Sequence, residues 1–124
     1  MFASSVIQCL RPVYMPATPL SESDLAAVQG QFASRRGFPN VTLAVDGSHI
    51  PFRPKSRAFY MDYRNFKGWT SILAVAFVDS FYRFFDVDVG YPGRAGDNTV
   101  LVRSPLMASI ASDPEKWLGK GGII

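Results

Sequence analysis

Residues 37–51 read GFPNVTLAVDGSHIP. From Val41 to Asp46 apolar residues alternate with other residues, and this period of two is typical of a β-strand. The pattern ends in Asp46-Gly47, a dipeptide typical of turns, and the single histidine of the chain, His49, follows. The stretch therefore predicts either a carboxylate held at the end of a rigid strand or a strand-ending turn without a chemical role.

Length and composition predict one domain. The chain has 124 residues, of which 48% are hydrophobic and 14% aromatic, enough to build a substantial core. Nine prolines and ten glycines indicate many turns and argue against a helical bundle.

Charge and cysteine content restrict the class of protein only loosely. A net charge of +3 and a pI of about 9.2 are compatible with a polyanionic partner. A lone cysteine, Cys9, excludes an internal disulfide and a cysteine-rich zinc site. The longest apolar run, Ile72 to Val78, is far shorter than the roughly 18 to 20 residues that span a bilayer, so we expect a soluble protein without a membrane partner.

The pattern divides the chain into an N-terminal helical and connector segment, residues 1–36, and a folded unit, residues 37–124. In the first segment a helix is expected from Ser21, which stands at capping-box spacing from Asp24, and Gly37 should end it. An extended connector is expected before the helix, because prolines recur there: Pro12, Pro16 and Pro19.

Two more strands are predicted after the first. Thr70 to Asp79 is nearly continuous in apolar residues, as in a central strand buried on both faces. Phe81 to Tyr91 alternates, with Asp86 and Asp88 on one face, either near Asp46 or simply solvated. A tight turn at Asp79-Ser80 should join these two strands as an antiparallel hairpin.

The remaining residues predict a helix and the start of another strand. Pro92 to Asn98 should be a loop, and Ser104-Pro105 is typical of the start of a helix that runs to about Ser112. Ile123-Ile124 is expected to begin a fourth strand, parallel to the first. The order is that of a ribonuclease H-like α/β fold: a three-stranded antiparallel meander, a helix and the start of a fourth strand. Such a domain would be incomplete.

Asp46 and Asp97 are the strongest candidates for a metal site. Cleavage of a phosphodiester by two divalent ions requires carboxylates that flank metals roughly 3.5 to 4 Å apart. A strand end would hold Asp46 rigidly, whereas Asp97 follows a glycine-rich loop at a predicted helix start, where its alternative role is helix capping. His49 makes no metal site alone, and we interpret it as support for neighbouring groups.

A basic and aromatic stretch follows the first strand. Between residues 53 and 67 five basic residues stand against one acidic residue, a net charge of +4: Arg53, Lys55, Arg57, Arg64 and Lys67. Six aromatic residues are interleaved with or border them, and cations for phosphates with aromatic rings for stacking suit nucleic acid. The alternative is a solvated loop that its aromatic side chains attach to the core.

Taken together, these motifs resemble the DDE-type nuclease domain of PIF/Harbinger transposases and Harbinger-derived nucleases. The resemblance extends from Tyr14 to Ile124. It is carried by residues 37–51, by Tyr63-Arg64-Asn65-Phe66-Lys67-Gly68-Trp69-Thr70-Ser71, by Phe84-Phe85-Asp86-Val87, by Tyr91-Pro92-Gly93-Arg94-Ala95-Gly96-Asp97, and by Ser104-Pro105-Leu106.

The resemblance implies a ribonuclease H-like fold, a divalent cation (Mg or Mn) as cofactor, DNA as substrate, a nuclear location and a separate DNA-binding partner protein. Asp46 matches the first acidic residue of the family, and Asp97 matches the acidic residue that closes its Pro-Gly-Ser-x-His-Asp motif. Arg94 and Gly96 depart from that motif, and Ser48 replaces the usual threonine.

The family's later acidic residues would lie past Ile124. We therefore expect a fragment of a transposase-derived endonuclease with negligible activity as it stands. The alternative is a non-enzymatic remnant that binds DNA or a partner protein.

Overall fold

The structure, a computed structural model, describes Cys9 and residues 18–124. Most of the predicted proline-rich connector, including Pro12 and Pro16, lies outside the described residues. The elements in chain order are helix α1 (Glu22–Arg36), strand β1 (Ala44–Pro51), a short 3-10 helix (Arg57–Phe59), helix α2 (Tyr60–Tyr63), strands β2 (Ser71–Val78) and β3 (Phe84–Pro92), and helices α3 (Asp97–Arg103), α4 (Pro105–Ser112) and α5 (Pro114–Leu118).

Helix α1 begins and ends as its sequence predicts. The Ser21 hydroxyl accepts a hydrogen bond from the Asp24 amide at 3.3 Å, which satisfies one of the free N–H groups at the helix start. Gly37 ends the helix at φ 72°, a left-handed conformation that glycine adopts without a steric penalty. Helix α1 is attached to the sheet by the Ser80 hydroxyl, which donates to the Val28 carbonyl at 2.8 Å.

The three strands form an antiparallel sheet in the order β1-β2-β3. The expected meander is therefore confirmed, but the predicted end of the first strand is wrong. Asp46 pairs with Ala76 and Gly47 pairs with Val75, so β1 continues through the dipeptide to Pro51. Long-range pairing with β2 has overridden the local turn preference of Asp-Gly.

Strand β2 is central but is not buried equally on both faces. Leu73, Val75 and Phe77 are fully buried, whereas the residues between them are half-buried. We call the face of these three residues the core face and the opposite face, which includes Asp46 and Ala76, the outer face. The β2–β3 hairpin is confirmed, although its turn extends from Asp79 to Arg83.

Asp86 and Asp88 project from the core face, so the interpretation of solvated strand residues is wrong. Their cross-strand partners are Phe77 and Val75, and Asp86 is fully buried. The Asp86 carboxylate accepts a hydrogen bond from the Val87 amide at 2.9 Å. Since β2 lies between β1 and β3, Asp88 is two strand spacings, about 10 Å, from Gly47.

The C-terminal helices cover the core face. Val100 of α3, Leu106 and Ile110 of α4, and Leu118 of α5 pack against the buried residues of β2. Ser104 begins α4 as predicted, with its hydroxyl accepting from the Met107 amide, whereas α5 was not predicted.

The last residues pair with the segment before β1. Ile123 forms a parallel bridge with Val41, as expected of the start of a fourth strand. The Thr42 amide donates to the Ile123 carbonyl and the Ile123 amide donates to the Asn40 carbonyl, both at 2.9 Å. None of the helices in residues 18–124 has the length and apolar character needed to cross a bilayer.

Candidate functional site

Asp46 lies within β1 as its third residue and is exposed. Oδ1 of its carboxylate accepts a hydrogen bond from the Gly47 amide at 2.8 Å. Strand residues both precede and follow Asp46, so its backbone is held more rigidly than it would be at the predicted strand end.

Asp97 is the first residue of α3 and contacts the same glycine. The N-cap of α3 is Gly96, so the alternative role of Asp97 as the capping residue is wrong. A Cβ atom placed on Gly47 would lie 2.7 Å from Asp97 Cγ and 2.9 Å from Oδ2, closer than real Cβ contacts occur. The Asp97 carboxylate thus occupies the space that any side chain at position 47 would need.

Gly47 lies between the two predicted acidic residues, which approach it from opposite faces of β1. Asp46 shares the outer face with its neighbour Ala76, whereas Gly47 is paired with Val75 on the core face, where Asp97 packs against it. The contact of each carboxylate with Gly47, added across the glycine backbone, limits the distance between Asp46 Oδ1 and Asp97 Oδ1 to about 8 Å. Among the described residues, no group of three or more His, Cys, Asp or Glu side chains is arranged to hold a metal ion. The sequence reasoning missed the role of Gly47, although a glycine within a strand is a signal of close approach by another group.

His49 contacts a polar network rather than either candidate carboxylate. Its Nδ1 lies 2.8 Å from the Ser71 hydroxyl, which also accepts a hydrogen bond from the Asn65 amide group at 3.1 Å. The imidazole meets the rings of Phe66 and Trp69 edge-on, at centroid distances of 5.9 and 6.0 Å. His49 therefore attaches the loop between α2 and β2 to strand β1.

Gly93 allows a second loop to pack against this network. Its amide donates to the Ser71 carbonyl at 2.8 Å, and a Cβ atom at position 93 would lie 2.6 Å from the Tyr63 carbonyl oxygen and 2.7 Å from that of Ser71. The glycine is therefore required by close backbone approach. The predicted motifs at residues 63–71 and 91–97 are in direct contact.

The basic stretch forms the surface that follows β1. All five of its cations are exposed, and none forms an ion pair with another residue in the described part of the chain: Arg53, Lys55, Arg57, Arg64 and Lys67. Phe59 and Phe66 are also largely exposed, whereas Phe52, Tyr63 and Trp69 are half-buried. Some aromatic side chains therefore attach this loop to the fold and others present their rings to solvent.

An open cleft of about 510 Å³ lies within this basic surface. The rings of Phe52 and Tyr63 pack at a centroid distance of 5.0 Å in its wall. The lining combines apolar rings with cationic side chains: Phe52, Arg53, Pro54, Lys55, Ser56, Phe59 and Tyr63. This chemistry suits the bases and phosphates of nucleic acid.

The comparison with known families agrees with this arrangement. The DDE superfamily endonuclease model matches residues 45–121, well over half of the chain, and its match includes both candidate carboxylates. Neither the curated proteins nor the solved structures include a significant match. A nuclease family of this kind implies a DNA substrate and, in general, divalent metal ions. This chain belongs to the DDE superfamily of endonucleases.

Proposed function

We propose that the chain contains part of the acidic centre of a divalent-metal-dependent DNA endonuclease, with Asp46 and Asp97 as metal ligands. One observation supports this most strongly: the two carboxylates flank the same glycine, Gly47, one on each face of β1, although strand β1 and helix α3 are distant in sequence.

The two carboxylates are of the donor type that a hard cation binds. Mg²⁺ and Mn²⁺ prefer oxygen ligands, and Mg²⁺ keeps several waters, so that one or two protein carboxylates suffice. A bound ion would polarise a phosphate oxygen and lower the pKa of water at the scissile bond. In this proposal the chain's own residues orient the carboxylates through Gly47 and bind the DNA backbone through the exposed cations of residues 53–67.

A ribonuclease H-like fold is part of the proposal. It is supported by the antiparallel order of β1, β2 and β3, the helices that follow, and the parallel bridge of Ile123 with Val41. The PIF/Harbinger subtype, a nuclear location and a separate DNA-binding partner protein rest on the resemblance of the sequence motifs.

Metal binding tests the site directly. We expect the chain to bind Mn²⁺, and we expect Asp46→Asn and Asp97→Asn each to weaken that binding at least about tenfold, because each removes a charged ligand. Titration of free Mn²⁺ by electron paramagnetic resonance measures the affinity. Glu115→Gln removes the same charge from exposed α5 and should leave the affinity unchanged. Equal affinities for the wild type and Asp46→Asn would exclude the site.

Cleavage and DNA binding separate the enzymatic from the non-enzymatic proposal. With supercoiled plasmid and Mg²⁺ or Mn²⁺, we expect negligible nicking by this chain; clear nicking that Asp46→Ala abolishes would contradict that expectation. A second candidate function, DNA binding without catalysis, is favoured by the exposed cations after β1. It predicts binding that survives Asp46→Ala and falls when Arg53, Lys55 and Arg57 are neutralised.

A further inference from the structure

A second basic site lies at the other end of β1, where the last turn of α1 meets the β2–β3 turn. A cleft of about 180 Å³ opens there, and we call it the Tyr82 cleft. It is lined by Gln31, Phe32, Arg35, Arg36, Ala44, Val78, Asp79, Ser80 and Tyr82. The space suits a single phosphate group rather than a base pair.

Arginine and tyrosine side chains supply hydrogen-bond donors in the cleft. The Arg35 guanidinium lies 5.8 Å from the centre of the Tyr82 ring. Interactions with the guanidinium groups of Arg35 and Arg36 lower the pKa of the Tyr82 hydroxyl below its usual value, so both cations lie near this ring. Part of the Arg35 guanidinium donates to the Gln31 side-chain oxygen. Guanidinium groups are common protein ligands of phosphate oxygens.

No carboxylate of the described residues neutralises Arg35 or Arg36. Asp79 lies in the cleft wall, but its carboxylate accepts hydrogen bonds from the Phe81 and Arg83 amides and from Arg83 Nε, at 2.8 to 3.0 Å. Arg83 therefore forms an ion pair with Asp79, whereas Arg35 and Arg36 remain exposed and able to bind an external anion.

The backbone at Tyr82 is in a left-handed conformation. Its φ of 61° lies in a region that residues other than glycine rarely adopt, and its side chain is 71% exposed. Tyr82 closes the turn from Asp79 to Arg83, in which its amide donates to the Asp79 carbonyl at 3.2 Å, and a left-handed residue is usual at this place in a hairpin turn. The turn thereby holds the ring in solvent beside the two cations.

The position of the cleft relates it to Asp46. Ala44, which lines the cleft, precedes Asp46 by two residues in β1 and projects from the same face. The separation of Ala44 and Asp46 along the strand is about 7 Å, similar to the spacing of neighbouring phosphates in one DNA strand.

We propose that the Tyr82 cleft binds a DNA backbone phosphate within about two nucleotides of the bond held at Asp46. The inference rests on the proposed function and adds a second phosphate contact to the basic surface after β1. The two sites lie at opposite ends of the strand, so that a DNA chain laid along β1 would be held on both sides of the carboxylates.

Equilibrium binding of fluorescently labelled duplex DNA, without metal and at several salt concentrations, tests the site. For the double variant Arg35→Gln/Arg36→Gln we expect affinity to fall at least about tenfold and the slope of log K against log salt to decrease by about 0.9, because one phosphate contact is lost. The matched control, Arg103→Gln/Lys116→Gln, removes the same charge from exposed positions on α3 and α5. Thermal unfolding should be unchanged in both variants, since all four residues are exposed.

The outcomes distinguish the two proposals. A tenfold loss confined to the Arg35/Arg36 variant supports the phosphate site. Equal affinity and slope for that variant and the control would overturn the phosphate site and leave the proposed function intact. A wild-type chain that binds no DNA would overturn both.

Discussion

Replacing Gly47 by alanine is expected to reduce divalent-metal affinity about 10- to 100-fold while changing the free energy of unfolding by no more than about 1 kcal/mol. The new methyl group would occupy the space of the Asp97 carboxylate. Because that carboxylate is the exposed end of a short side chain, it can rotate away, so the fold is preserved but the second ligand is displaced.

The matched control is Gly96→Ala, which adds the same methyl group next to Asp97. An added Cβ at position 96 meets no atom within 4 Å, so the Asp97 carboxylate can stay against Gly47. Mn²⁺ titration and chemical denaturation of the three proteins give both quantities. Unchanged metal affinity in Gly47→Ala would show that contact with Gly47 does not position Asp97 as a ligand.

Gly93→Ala, unlike Gly47→Ala, should mainly affect stability, with a loss of about 2–3 kcal/mol in the free energy of unfolding. Here the added methyl group meets the backbone carbonyls of Tyr63 and Ser71, which cannot rotate away. Two loops must separate, and the hydrogen bond from the Gly93 amide to Ser71 is weakened with them.

Denaturant unfolding measures this loss, and Gly96→Ala again serves as the control, three residues away in the same loop. Because Gly96 is the N-cap of α3, that control should itself lose no more than about 1 kcal/mol. We also expect the Phe66 and Trp69 rings to lose their fixed contact with His49, which tryptophan fluorescence reports. A stability equal to that of the control would contradict the close packing of residues 63–71 against residues 91–97.

Much of the local structure could be predicted from the sequence. The start of α1 at Ser21, its end at Gly37 and the start of α4 at Ser104 depend on hydrogen bonds between near neighbours, so the residue types alone indicate them. The antiparallel meander also follows from the alternating patterns. These features need no knowledge of distant residues.

The errors lie where distant residues decide the structure. Asp46-Gly47 favours a turn locally, yet pairing with Ala76 and Val75 keeps it extended. Asp86 and Asp88 alternate like solvated residues, but the C-terminal helices cover the face from which they project. Alternation identifies two faces of a strand without saying which of them is buried.

The family motifs, the helix caps and the choice of Asp46 and Asp97 as candidate ligands all follow from the residue types and their order. That both carboxylates lie next to Gly47 follows only from the packing of helix α3 against β1. The same holds for the Tyr82 cleft, whose lining residues come from α1, from the ends of β1 and β2, and from the β2–β3 turn. Both sites depend on close contacts between separate elements, and a local sequence pattern does not indicate how separate elements pack.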